Sequence, residues 1–186
     1  MKARVRVQEA AFVYGVDPES KKAAALKAEF ENMGIPFAFL SAECWDKTVG
    51  FCVGASGAQE FGQAPVLRQE REVFLMKEFS AARREQVLAG FREGRLPKIE
   101  LKAIVTPHNQ TWTLGELITE LGKEHACMQA YQELRRLAAK AQTAEEPSAS
   151  LTQPLERAQE LLRSKTPQPE EVYRAAAEKL RAAMGK

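Results

Sequence analysis

No uninterrupted apolar run in this sequence approaches the roughly 20 residues that a bilayer-spanning helix requires. No block of one charge sign occurs either, because 27 Lys and Arg are interleaved with 25 Asp and Glu. Nucleic-acid-binding surfaces gather their basic residues on one face or stripe. The even mixing therefore argues against a DNA or RNA partner, and the missing apolar run argues against a membrane. Cysteine is scarce: Cys44, Cys52 and Cys127 form no CxxC pair. Any intramolecular pairing of the three leaves one thiol over, which fits a reducing compartment best. Lys2, Arg4 and Arg6 make a basic start that no apolar signal core follows, so the expected location is the cytoplasm.

Chemical motifs are lacking as well. The chain has no P-loop, G-x-G-x-x-G, G-x-S-x-G or H-E-x-x-H. Gly54, Gly57 and Gly62 do not form a phosphate-cradling pattern and read as a flexible turn. The two histidines are His108 and His125. Their spacing with Glu124 and Cys44 matches no metal-ligand pattern, and Cys44 with His108 lacks the local signature of a Cys–His nucleophile. On this reading no catalytic residue, metal ligand or cofactor is assigned, and the expectation leans towards a chain that is not an enzyme.

What is present is an ordered succession of elements. Ala11–Val16 is apolar and rich in β-formers, so it reads as a strand. Asp17-Pro18 supplies an N-cap and a proline at the first helical position. The helix it opens runs to about Met33, with Ala23, Leu26, Phe30 and Met33 on one face and Gly34 beyond its end. Pro36–Leu40 reads as a second strand, and a short helix is expected from about Asp46 to Val53. The order then returns. Glu72–Met76 reads as a strand, Ser80 caps a helix to about Glu93, and Glu100–Val105 reads as a strand. A polar loop, Thr106–Trp112, leads to Thr113-Leu114-Gly115-Glu116, a capping box that opens a long helix.

The two halves overlay at nearly constant offsets. At 65 residues, Ala38 falls on Ala103, Phe39 on Ile104, Ser41 on Thr106, Thr48 on Thr113 and Gly50 on Gly115. The first strands overlay at 62, with Phe12 on Phe74 and Leu26 on Leu88. A repeat of this kind determines the whole fold. The expected class is α+β: a duplicated β-α-β-α unit forming a four-stranded sheet, followed by C-terminal helices. A ferredoxin-like split arrangement, in which each unit's gap is filled by a strand of the other, is favoured over an open α/β sheet.

From about Gln129 the composition shifts to Ala, Leu, Arg, Lys, Glu and Gln. The expected division is a core domain over residues 1–128 and a helical extension over 129–186, with a linker near 142–153. The long helix should continue to about Ala141, weakened at Gly122. Two further helices are expected from about Pro154 and Pro169. Their stripes, Leu155, Ala158, Leu161 and Leu162, then Val172, Ala176, Leu180 and Met184, are thin. Such helices would be marginal alone.

The loop Thr106–Trp112 is the candidate ligand site. It joins a strand's carboxyl end to a helix N-terminus, where free N–H groups and the helix dipole favour an anion. Thr106, His108, Asn109 and Thr111 offer polar side chains, and Trp112 a flat apolar face. The competing reading is structural, since Asn, Thr and Pro are ordinary turn residues and Trp112 can pack over the helix start.

The stretch Leu101–His125 resembles the hallmark of DUF3783, a bacterial domain family of unknown function. That family reads as Lys-Ala, two apolar residues, Thr-Pro-x-Asn, an apolar-Trp-Thr turn, and a helix ending Glu-His. Lys102, Ala103, Thr106, Pro107, Asn109, Trp112, Leu117, Glu120, Leu121, Glu124 and His125 match. Thr48-Val49-Gly50-Phe51 is similar to the family's first-half Gly-aromatic helix. The resemblance covers roughly residues 10–128, and its specific motif is the last quarter of that span. It implies a small cytoplasmic bacterial protein and supplies no activity, cofactor or partner. The functional expectation is a non-enzymatic binding or adaptor module with an unidentified protein or small-molecule partner. The rival is a small-anion or metabolite-binding protein, or an enzyme, that uses the Thr106–Trp112 loop.

Overall fold

A computed structural model describes residues 8–61, 67–143 and 149–185. Its elements in order are β1 (Ala10–Tyr14), α1 (Lys21–Asn32), β2 (Phe37–Phe39), a 3₁₀ turn (Ala42–Asp46), α2 (Val49–Cys52), β3 (Val73–Lys77), α3 (Ala81–Arg92), β4 (Leu101–Ile104), a second 3₁₀ turn (Asn109–Thr111), α4 (Leu114–Gln142), α5 (Ala149–Arg163) and α6 (Glu170–Met184). The basic start, Gly62 and the middle of the expected linker lie outside the described residues. Among the described residues no helix is long and apolar enough to cross a membrane.

The chain divides into two units, residues 1–121 and 122–186, and α4 runs through the division. The first unit is built on a mixed four-stranded sheet of order β2-β1-β3-β4. β1 lies parallel to β2 and β3 parallel to β4, while β1 and β3 pair antiparallel at the centre. The α+β class and the four-stranded sheet stand. The favoured split arrangement is corrected: β1 bonds β2 directly, Phe12 opposite Ala38 and Val13 opposite Phe39, so neither unit contains a gap.

Helices cover both faces of the sheet. On one side Ala11, Val13, Phe74 and Met76 meet Leu26 and Phe30 of α1 and Val87 of α3. Phe30 stacks on Phe74 at 5.4 Å between ring centroids. On the other side Tyr14, Val73, Leu75 and Leu101 meet Trp45, Val49, Leu114 and Ile118. β3 is therefore buried on both faces, which matches its run of Val, Phe, Leu and Met.

This two-sided burial also corrects the overlay at 62. Phe12 faces the Trp45 side and Phe74 the α1 side, and a one-residue slip in a strand exchanges its faces. The ladders pair Phe12 with Ala38 and Leu75 with Ala103. Holding Ala38 on Ala103 thus sets Phe12 on Leu75, an offset of 75 − 12 = 63. The positive-φ residues Gly15 and Glu78 then coincide as well. Helix α1 begins later than expected. Asp17 spends its carboxylate on the Glu19 N–H at 3.0 Å, and Ser20 is the cap, accepting from the Ala23 N–H at 3.1 Å. Ser80 caps α3 in the same way through the Arg83 N–H at 3.2 Å. The short helix expected from Asp46 is a 3₁₀ turn followed by the single-turn α2, because Thr48 breaks in as a fresh cap, bonding the Phe51 N–H at 3.2 Å.

The second unit has a core of its own. Leu134, Leu137, Ala138 and Ala141 of α4 pack with Leu151, Ala158 and Leu161 of α5 and Tyr173, Ala176, Ala177 and Leu180 of α6. The two stripes that read as thin thus face a third on α4, and each is narrow because the other two complete the core. Helix α5 begins at Ala149 rather than near Pro154, since Leu151 extends its buried stripe by one turn and leaves Pro154 inside the helix.

Candidate functional site

Between β4 and α4 the chain must turn sharply, and Asn109 makes the turn. Its side-chain oxygen accepts from the Thr106 N–H at 2.8 Å, and its side-chain nitrogen donates to the Ile104 carbonyl at 2.8 Å. The Thr106 hydroxyl accepts from the Asn109 N–H at 3.2 Å. The Thr111 hydroxyl donates to the His108 carbonyl at 2.9 Å. His108 stands edge-on to Trp112 at 5.1 Å between ring centroids, and Trp112 itself is half-buried against the Trp45-side core. Thr106, His108, Asn109, Thr111 and Trp112 are thus brought together, and their polar atoms are largely engaged within the loop.

The N-terminus of α4 is engaged too. The Leu114 N–H bonds the Lys47 carbonyl at 2.9 Å, and the Glu116 N–H bonds the Thr113 hydroxyl at 3.1 Å. The Glu116 carboxylate reaches back to the Thr113 N–H at 2.7 Å, so the helix start already carries an anion of its own. Thr113, Leu114 and Gly115 are buried. A Cβ added at Gly115 would lie 2.7 Å from the Trp45 ring, which makes glycine the residue that admits the indole.

This helix start is matched by that of α2. Thr48 and Thr113 face each other in an isolated antiparallel bridge. The Val49 N–H bonds the Trp112 carbonyl at 2.9 Å, reciprocating the bond from Leu114 to Lys47. Gly50 approaches Gln110 as Gly115 approaches Trp45. On the outer side Lys47 bridges Phe61, the Thr48 N–H bonds the Glu60 carbonyl at 2.9 Å, and the Thr48 hydroxyl donates to the Gln59 carbonyl.

Two features here were missed by sequence reasoning. The first is an exposed aromatic pair. Phe51 is 41% and Phe61 67% exposed, and Lys47 is linked to both, through its ammonium to the first and through a backbone bridge to the second. Its ammonium lies 5.2 Å from the centre of the Phe51 ring and 3.1 Å from the Glu60 carboxylate, which raises the lysine pKa. No sequence signal marks the pair, because the register that sets Phe61 opposite Lys47 comes from backbone bonding. The second is an open groove of about 1060 Å³ at the carboxyl ends of β1 and β2, lined in part by Tyr14, Asp17, Ser41, Arg68 and Arg71. Its wall requires Gly15 at φ +82°, where a Cβ would meet the Arg71 carbonyl at 2.4 Å. Glycine after a strand was the available signal.

Other residues singled out by the sequence lie apart from the loop's bonding. Lys102 is half-buried on the α3 side, its ammonium 4.6 Å from the centre of the Phe91 ring and donating to the Ile99 carbonyl; burial lowers its pKa. His125 pairs with Gln129 at 2.8 Å on α4. Cys44 lies beside Cys52.

Residues 72–128 match a family model described as a domain of unknown function, DUF3783. The matched span holds β3, α3, β4, the Asn109 turn and the first part of α4. No curated protein and no solved structure matches the chain.

Proposed function

We propose, from the premise that residues 72–128 match the DUF3783 model, that this chain is a non-enzymatic binding or adaptor module of the bacterial cytoplasm. The observation that carries the reading is the exposure of Phe51 and Phe61, each linked to Lys47. Exposed aromatic area that packing does not require is a common mark of a contact surface. The chain is further read as an internal duplication, supported by the reciprocal bonding around Thr48 and Thr113. A peptide library selected on the immobilised chain should enrich binders that a Phe51→Ser/Phe61→Ser variant no longer retains. Enriched peptides that bind the variant equally well would end this reading.

A second reading is a small-molecule ligand, which the groove at the carboxyl ends of β1 and β2 favours. Crevices at that end of parallel strands are recurrent ligand sites in α/β sheets. Arg68, Arg71 and Ser41 line the groove together with Asp17, Glu70 and Glu72, so its walls carry both charge signs and suit a metabolite that joins an anionic group, held by the arginines, to a hydrogen-bond donor or cation. A thermal-shift screen of metabolites and nucleotides tests it: a stabilising anion should lose its effect in Arg68→Ala/Arg71→Ala. An effect lost instead in Thr106→Ala would return the site to the loop.

A further inference from the structure

Cys44 lies in the first 3₁₀ turn, and Cys52 is the last residue of α2. The Cys52 thiol donates to the Cys44 carbonyl at 3.6 Å and also interacts with the Cys44 thiol. Both side chains are half-buried, so neither is sealed from solvent. The third cysteine, Cys127, is in the other unit, where its thiol donates to the Gln168 carbonyl at 3.4 Å. Two neighbouring thiols on adjacent short elements, both partly exposed, are a dithiol in the chemical sense. The geometry points to Cys44 and Cys52 as a redox pair that a hydroperoxide oxidises to an intramolecular disulfide.

The chemistry divides between the two sulfurs. Burial, and then the neighbouring Cys44 thiol, raise the Cys52 pKa well above the ordinary thiol value, so Cys52 stays protonated at neutral pH. Cys44 is then the sulfur that meets the oxidant. Its sulfur attacks the peroxide O–O bond as the thiol gives up its proton, giving a Cys44 sulfenic acid, and that proton passes to the departing oxygen, which leaves as an alcohol, or as water when the oxidant is hydrogen peroxide. The Cys52 sulfur displaces the sulfenic oxygen, forming the S–S bond as water leaves with the Cys52 proton. The two thiols are oxidised by two electrons and the peroxide is reduced by two. The Lys47 ammonium acts electrostatically on the Cys52 sulfur in the opposite sense to burial, favouring its thiolate form when it attacks. The bond would tie the turn that carries Trp45 to α2, and so secure the indole that Gly115 admits.

The test treats the reduced, folded full-length chain with hydrogen peroxide and counts thiols. Free thiols should fall from three to one, and a peptide map should show Cys44 joined to Cys52, lighter by two hydrogen atoms and restored by dithiothreitol. Cys127→Ser should form the same bond. Cys52→Ser should stop at a Cys44 sulfenic acid that dimedone traps, which keeps the assignment testable without the disulfide. Three thiols surviving in the folded chain, or a disulfide that uses Cys127, would overturn the proposal. So would sulfenic acid trapped only at Cys127 in the Cys52→Ser variant.

Discussion

At the residue scale the two helix starts govern this protein. The capping box at Thr113 was legible because its signal is local: Thr and Glu three apart before an apolar run can satisfy each other wherever they occur. Thr113→Ala should cost about 0.5–2 kcal/mol, read from urea midpoints. Trp112 was also legible as a residue of consequence, but the indole that is fully packed is Trp45, 3% exposed. Nothing near Trp45 announces this, because the glycine that admits it is Gly115, distant in sequence and adjacent only after folding. Trp45→Ala should therefore cost about 3–5 kcal/mol, and Trp112→Ala, which starts half-exposed, clearly less. An equal loss at the two positions would contradict this ranking. Gly115→Ala forces a methyl into the indole and should cost about 1–3 kcal/mol; a neutral result would mean that Trp45 moves aside freely.

At the element scale the sequence located most helices and strands but left the sheet order open. In the split arrangement, as in the one observed, β1 and β3 are the inner strands, so their burial patterns are the same. The two differ only in which outer strand flanks which. The outer strands are short, Phe37–Phe39 and Leu101–Ile104, and such segments carry little register information of their own. The helices of the second unit allow two element-level predictions. Pro154 lies within α5, where it forfeits a backbone hydrogen bond. Pro154→Ala should raise the stability of that unit by about 1–3 kcal/mol, and a fall would show that the ring packs to advantage. Glu133 of α4 bonds Arg136 and, at 2.7 Å, Arg181 of α6, and these guanidiniums pull its pKa down to about 2. An unfolded glutamate titrates near about 4.3. The stabilisation is therefore complete above about pH 4.3 and is lost as pH falls through about 2. Wild type should exceed Glu133→Gln modestly at neutral pH, since the pair is partly exposed and salt-screened. The gap should close below pH 2 and in high salt. A gap unchanged from pH 5 to pH 2 would show that the carboxylate charge is not its source.

At the scale of the whole molecule, two cores lie on one chain. One is the sheet sandwiched by α1 and α3 on one face and the Trp45 group on the other. The second gathers α5, α6 and the latter part of α4. The sequence showed the change of composition near Gln129 but not that the tail has an interior, because a three-helix core leaves each helix only a narrow stripe to display. Separate cores predict separate unfolding, and the placement of the chromophores permits a direct test. Both tryptophans, Trp45 and Trp112, belong to the first unit. Their fluorescence reports that unit alone, whereas far-ultraviolet circular dichroism is weighted towards helix and so includes α5 and α6. Under urea the two probes should follow different curves, which is the standard departure from two-state behaviour. Pro154→Ala should move the dichroism curve to higher urea and leave the fluorescence curve in place. Trp112→Ala, monitored through the remaining Trp45, should move the fluorescence curve to lower urea and shift the dichroism curve only in the part contributed by the helices of the first unit. Coincident transitions that shift together in both variants would mean that α4 couples the two cores into one cooperative unit. In that case Gly122, in the first third of α4 and at the division, would not weaken the helix enough to let either core unfold alone.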